Sequence, residues 1–146
     1  MTVLGLEHVG VVVEDIDAAV AFFVELGLEV RGETTVAGES VDRIVGLDGV
    51  RSQVVMLQTP DGRDQLELAK FHTPPTNAGG DLAPANAPGL RHILFSVDDI
   101  EDVLGRLERN HGAELVGALE RYEDKYKLCY VRGPAGIIVE LAQRLS

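Results

Sequence analysis

His8, Glu67, His92 and Glu140 are the residues of this sequence whose types and spacing can do chemistry together. Two imidazoles and two carboxylates form an N₂O₂ donor set of borderline-to-hard character, suited to one divalent ion: Zn, Ni, Co, Mn or Fe. Two carboxylates neutralise such an ion, and an octahedral ion with four protein ligands keeps two positions for water or substrate. Taken singly, each residue is an ordinary polar position on a strand. Their arrangement in matched pairs is what singles them out.

The matching comes from an internal repeat. Leu6-Glu7-His8-Val9 aligns with Leu90-Arg91-His92-Ile93, 84 residues later, and at the same spacing Asp15-Ile16 aligns with Asp99-Ile100. Further on, Pro60-Asp61-Gly62 followed by Gln65-Leu66-Glu67-Leu68-Ala69 resembles Pro134-Ala135-Gly136 followed by Ile138-Val139-Glu140-Leu141-Ala142. Each half opens on a strand bearing His and closes on a strand bearing Glu.

The elements that must carry these residues follow from periodicity. Residues 6–13 alternate, with Val9, Val11 and Val13 opposed to Leu6, His8, Gly10 and Val12. A helix from about Asp17 places Ile16, Val20 and Phe23 on one stripe and stops at Gly27. Strands are expected near 28–36, 40–47, 53–58 and 65–71, one of them only an extended connection. In the second half Ile93, Phe95 and Val97 oppose His92, Leu94 and Ser96. Ile100, Val103, Leu104 and Leu107 then form a helical stripe that ends at Asn110-His111-Gly112, with strands near 113–120, 126–132 and 137–143. Pro74, Pro75, Pro84 and Pro88, with Gly79, Gly80, Asn77 and Asn86, mark residues 73–89 as a linker between modules at 1–72 and 90–146. The fold class is therefore α+β, two tandem βαβββ modules whose curved mixed sheets carry helices on the convex side. Period-two geometry puts His8, Glu67, His92 and Glu140 on the opposite, concave face.

Composition narrows the partners. Thirteen Lys+Arg against twenty-four Asp+Glu give a net charge of −11, which repels polyphosphate, so neither nucleic acid nor an anionic membrane is an expected partner. One cysteine, Cys129, excludes an intrachain disulfide framework and a thiolate zinc site, and packs as a small apolar residue. No apolar run reaches the roughly 20 residues that span a bilayer, and no basic segment leads into an apolar core at the N-terminus. The expected location is the cytoplasm. His111 suits the C-terminal dipole of its helix, and His72 reads as a surface loop residue. The stretch Tyr122–Lys127 is either an exposed turn or a loop that meets substrate.

With His and Glu at matched ends of duplicated βαβββ modules, and with the segment Arg132-Gly133-Pro134-Ala135-Gly136-Ile137-Ile138-Val139-Glu140-Leu141, the chain resembles the vicinal oxygen chelate superfamily. That superfamily includes glyoxalase I, methylmalonyl-CoA epimerase, extradiol dioxygenases and the bleomycin- and fosfomycin-resistance proteins. The resemblance implies His8, Glu67, His92 and Glu140 as ligands of one divalent metal ion per site. It implies Lewis-acid chemistry on a substrate with two neighbouring oxygens, and Glu67 or Glu140 as the base that moves the adjacent proton. A small-molecule substrate and a homodimer are implied as well.

Departures from the family pattern bear on the substrate. Val12 stands where glyoxalases grip a glutathione carboxylate with arginine, and Phe71 replaces an asparagine four residues beyond the first-half Glu. An epimerase has a second carboxylate on an inner strand, where the expected register puts Arg43 beside Asp42. Tyr130 occupies the place of the active-site tyrosine of extradiol dioxygenases. Arg43, Phe71 and Tyr130 are thus the expected substrate-pocket residues of a glyoxalase I-like lyase or isomerase. The alternatives are an epimerase, an extradiol-type dioxygenase that needs only His8, His92 and Glu140, and a binding protein without turnover.

Overall fold

The structure, a computed structural model, describes residues 2–76 and 82–146. The chain divides into two compact units, Met1–Gly79 and Gly80–Ser146. Asn77, Gly79 and Gly80 of the expected linker lie outside the described residues.

The first unit runs β1 (Val9–Val12), α1 (Ile16–Leu26), β2 (Glu29–Ala37), α2 (Glu39–Val45), β3 (Arg51–Gln58) and β4 (Gln65–Thr73). Its sheet has the order β1-β4-β3-β2, with β1 parallel to β4 and the other pairs antiparallel. Asp15 caps α1 by accepting from the Ala18 amide at 3.0 Å, and Gly27, at φ 127°, lets the chain leave it. Ile16, Ala19, Phe22, Phe23 and Leu26 of α1 are buried, as are Val55, Leu57, Leu66 and Leu68 of the sheet, and α1 packs against β4 and β2.

The second unit repeats the plan with β5 (His92–Ser96), α3 (Ile100–His111), β6 (Glu120–Tyr122), β7 (Tyr126–Arg132) and β8 (Ile138–Arg144). The order is β5-β8-β7-β6, again with one parallel pair, β5 and β8. Asp99 caps α3 as Asp15 caps α1, accepting from the Asp102 amide at 3.1 Å. Ile100, Val103, Leu104 and Leu107 all bury, over a core that includes Cys129, Val131, Val139 and Leu141. His111 sits in the last turn before Gly112, as its dipole reading expects. Both units are thus βαβββ modules with mixed four-stranded sheets.

Three local expectations need correction. The strand expected near 40–47 is α2, and Arg43 is not on an inner strand. Val41, Ile44 and Val45 fit helical spacing, while Val41, Arg43 and Val45 fit alternation, so seven residues do not separate the two periods. Glycines decide it: Gly38, at φ 117°, breaks β2, and Gly46, at φ 81°, caps the helix. Asp42 then accepts from the amides of Gly49 and Val50 at 3.0 and 2.7 Å, closing the turn into β3. Of the strand expected at 113–120 only Glu120 belongs to β6, which runs on to Tyr122. Upstream, a single bridge joins Leu115 to Val131. Finally, β4 continues through His72 to Thr73, so His72 is an exposed strand residue rather than a loop residue.

Candidate metal centre

The sheet registers bring His and Glu together in each unit. Gly10 pairs with Glu67 and Leu94 with Glu140, so the histidine two residues earlier in each opening segment shares a face with the Glu. Leu66 and Leu68 flank Glu67, and Val139 and Leu141 flank Glu140, all turned into the core. Burial of these leucines and valines fixes the register, since a one-residue slip would turn them to the open face.

In the first unit His8 Nε2 lies 3.0 Å from Glu67 Oε2, while Glu7 Oε1 lies 3.1 Å from Nδ1. In the second, His92 Nε2 lies 3.4 Å from Glu140 Oε1. The His8 and Glu67 side chains are 34 and 28% exposed, those of His92 and Glu140 41 and 12%, so all four keep an accessible edge. Two donors about 2.1 Å from a shared ion stand about 3.0 Å apart at an octahedral angle and about 3.4 Å at a tetrahedral one. Both pairs therefore have the spacing of neighbouring ligands, and the second is longer than the usual N–H···O range of about 2.7–3.2 Å. Imidazole Nε2 and carboxylate oxygen are also donors that divalent ions take, so the donor chemistry of each pair is compatible with one. Among the described residues, no group of three or more His, Cys, Asp or Glu side chains that could hold a metal ion is assembled.

The other expected site residues separate into two kinds. Tyr130 pairs with Glu140 across β7 and β8, and its ring centroid is 5.2 Å from that of His92, so it belongs to the second pair's surroundings. Met56 takes the same register position opposite Glu67. Phe71 is half-buried on β4, four residues beyond Glu67 and on the same face by alternation. Arg43 is different: on α2 it is 71% exposed and faces Glu39 at 3.9 Å. Cys129 packs in the core, where burial pushes its thiol up to about 11.

A cavity of about 500 Å³ opens beside His8, lined by Glu7, Arg31, Gly32, Met56 and Gln65 among others. Arg31 and Gln65 were not among the expected site residues. The sequence signal that could have found them is faint: Gly32 inside a strand marks a possible irregularity, and nothing says which side chain it re-aims. In the second unit a smaller cavity of about 170 Å³ lies between the segment 82–91 and the start of β8. Arg132 closes it, donating to the carbonyls of Gly136 at 2.9 Å and Ala83 at 2.7 Å.

Comparison with known proteins agrees with this architecture. The family model described as Glyoxalase/Bleomycin resistance protein/Dioxygenase superfamily matches residues 5–141. A glyoxalase family protein from Bacillus cereus, of known crystal structure, is 43% identical, with a TM-score of 0.94 over 100% of this chain and 97% of that one. The uncharacterized protein YwbC of Bacillus subtilis (strain 168) is 26% identical over 141 residues, 95% of this chain and 97% of the relative. TnmS3, an antibiotic binding protein from Streptomyces, shares the fold at 18% identity and a TM-score of 0.61, over 99% of this chain and 98% of that one. From residue 5 to residue 141, then, this chain is a member of the glyoxalase/bleomycin resistance protein/dioxygenase superfamily.

Proposed function

We propose that the protein is a divalent-metal-dependent lyase or isomerase of the glyoxalase type, moving a proton on a small substrate with two neighbouring oxygens. The observation that carries the reading is the repeated His–Glu pair, with ligand-like separations of 3.0 and 3.4 Å in units of the same topology. His8, Glu67, His92 and Glu140 would hold the ion, the two pairs coming from one chain or from two copies. When bound, the ion supplies Lewis-acid polarisation of the substrate oxygens.

The protein's own groups do the rest. A carboxylate takes the proton from the carbon beside the carbonyl and returns it to the same or the neighbouring carbon. Glu67 is the better base, because its side chain is more than twice as exposed as that of Glu140 and the larger cavity opens beside its partner His8. Glu140, at 12% exposure between two fully buried neighbours, serves better as a fixed ligand. Glu7 beside His8 Nδ1 orients that imidazole and leaves Nε2 turned to the site. Tyr130 packs on His92 and restricts its ring.

The epimerase alternative loses support, since Asp42 spends its carboxylate on the Gly49 and Val50 amides. Dimerisation is part of the proposal: Val3, Leu4 and Leu6 are 82, 95 and 84% exposed, an apolar surface that a second copy would cover. No helix among the described residues is long and apolar enough to cross a membrane, and the cytoplasm is the proposed location.

The test is proton exchange in deuterated water, with metal-loaded protein and the hemithioacetals that methylglyoxal forms with several thiols. Turnover with at least one thiol is expected, falling by about 10²–10⁴ in Glu67→Gln. Stoichiometric binding without turnover of any of them would favour the sequestering relatives of this superfamily.

A further inference from the structure

Arg31 is placed by a local irregularity. Strands β2 and β3 pair without interruption from Ala37 opposite Arg51 to Gly32 opposite Met56, then resume at Val30 opposite Leu57. Arg31 is the extra residue of a β-bulge. A bulge sets two consecutive residues against one on the neighbouring strand and re-aims a side chain that strict alternation would send to the other face. Arg31, Gly32, Glu33 and Thr34 all line the 500 Å³ cavity, together with Met56 and His8. Gly32 contributes no side chain, and the space its Cβ would take is open, so the guanidinium has room beside it.

This arginine has no ion-pair partner within 4.0 Å among the described residues. Its Nη1 donates to Gln65 Oε1, a neutral amide oxygen that orients the guanidinium. The cavity's two carboxylates have other partners at hydrogen-bond distance: Glu33 accepts from Gln53 Nε2 at 2.7 Å, and Glu7 stands beside His8. Arg43, Arg63, Arg106, Arg121 and Lys127 each face a carboxylate within 4.0 Å. Among the described residues Arg31 faces none at that distance, in a chain of net charge −11. A cation not ion-paired within 4.0 Å and held in orientation at a cavity wall is suited to an oxyanion, which a guanidinium grips through parallel N–H bonds.

We infer that Arg31 is a specificity-determining residue that binds an oxyanion of the substrate, a carboxylate or a phosphonate-type group, in the cavity beside His8. Gln65 is its positioning residue. The inference names the substrate class of the reaction proposed above and rests on that reading only for the reacting end of the molecule.

The test is run on chelator-stripped full-length protein, so that metal binding does not enter. Propionate, methylphosphonate and neutral propionamide are titrated while calorimetry and the arginine Nε NMR signals are followed. The two anions bind and propionamide does not. The stronger anion tells carboxylate from phosphonate. Arg31→Gln weakens anion binding by about tenfold or more, Arg31→Lys by less, and Arg63→Gln leaves it unchanged. Gln65→Leu weakens it a few-fold and broadens the Arg31 signal. Equal anion affinity in the wild type and a folded Arg31→Gln variant, or no anion binding by the wild type, overturns the inference. Because metal is measured separately, failure of the His–Glu pairs and failure of the anion site give different results.

Discussion

The two units hold their His–Glu pairs in the same way and surround them differently. Strand order, the parallel pairing of the first and last strands, and the step of two residues from His to the Glu's partner are common to both. Opposite the Glu, however, one unit has Met56 and the other Tyr130. The first unit carries a bulge at Arg31 and a cavity of about 500 Å³, whereas the second has a smaller cavity closed by Arg132. Duplication accounts for the matched His–Glu pairs, and divergence at the neighbouring strand positions accounts for their different surroundings. On the proposed reading, a scaffold used twice would supply matched ligand pairs, and the differing cavities would give a substrate one orientation.

The largest effect that could break this comparison is catalytic. Glu67→Gln is expected to lower turnover by about 10²–10⁴ with metal content largely retained, whereas Glu140→Gln loses the metal itself. Matching behaviour of the two variants would remove the assignment of separate roles. Next come the core leucines flanking the two carboxylates. Leu68→Ala and Leu141→Ala, both at positions with no exposed surface, should each cost about 2–5 kcal/mol in denaturant unfolding. A negligible loss in one unit alone would show that its core is not built as described. The helix caps test the symmetry more gently: Asp15→Ala and Asp99→Ala should cost about 1 kcal/mol each, to a similar extent.

The smallest expected effect is a pH dependence that belongs to the second unit. Burial raises the Cys129 thiol from an ordinary value near 9.0 to about 11. The unfolded chain therefore loses this proton first, and the folded state is favoured fully below pH 9 and progressively less between pH 9 and 11. Cys129→Ala should flatten that part of the stability profile, measured by urea unfolding at a series of pH values. An unchanged slope would mean that the thiol is not shielded.

Much of this was legible in the residues because burial leaves a pattern. The paired Asp-Ile helix starts, the alternation around Glu67 and Glu140, and the His segments at matched spacing all predict what the structure contains. The four candidate ligands are legible for the same reason, since repeat and alternation act on the same positions. What escaped is short or irregular. Residues 39–45 carry too few apolar positions to separate a helix from a strand, and their identity rests on glycine conformations at both ends. The reduction of the strand expected over 113–119 to a single bridge at Leu115 follows no hydrophobic signal. The bulge at Arg31 depends on how two strands pair, which one strand's sequence does not encode.

The central claim, that both His–Glu pairs grip one ion, is tested most directly by elemental analysis after exhaustive dialysis. Wild-type protein is compared with His8→Ala, His92→Ala and the double variant. About one divalent ion per chain is predicted for the wild type, with each single substitution lowering occupancy nearly as far as the double. Metal content equal in all four proteins would contradict the account, and so would single variants that each keep half, since the pairs would then act apart.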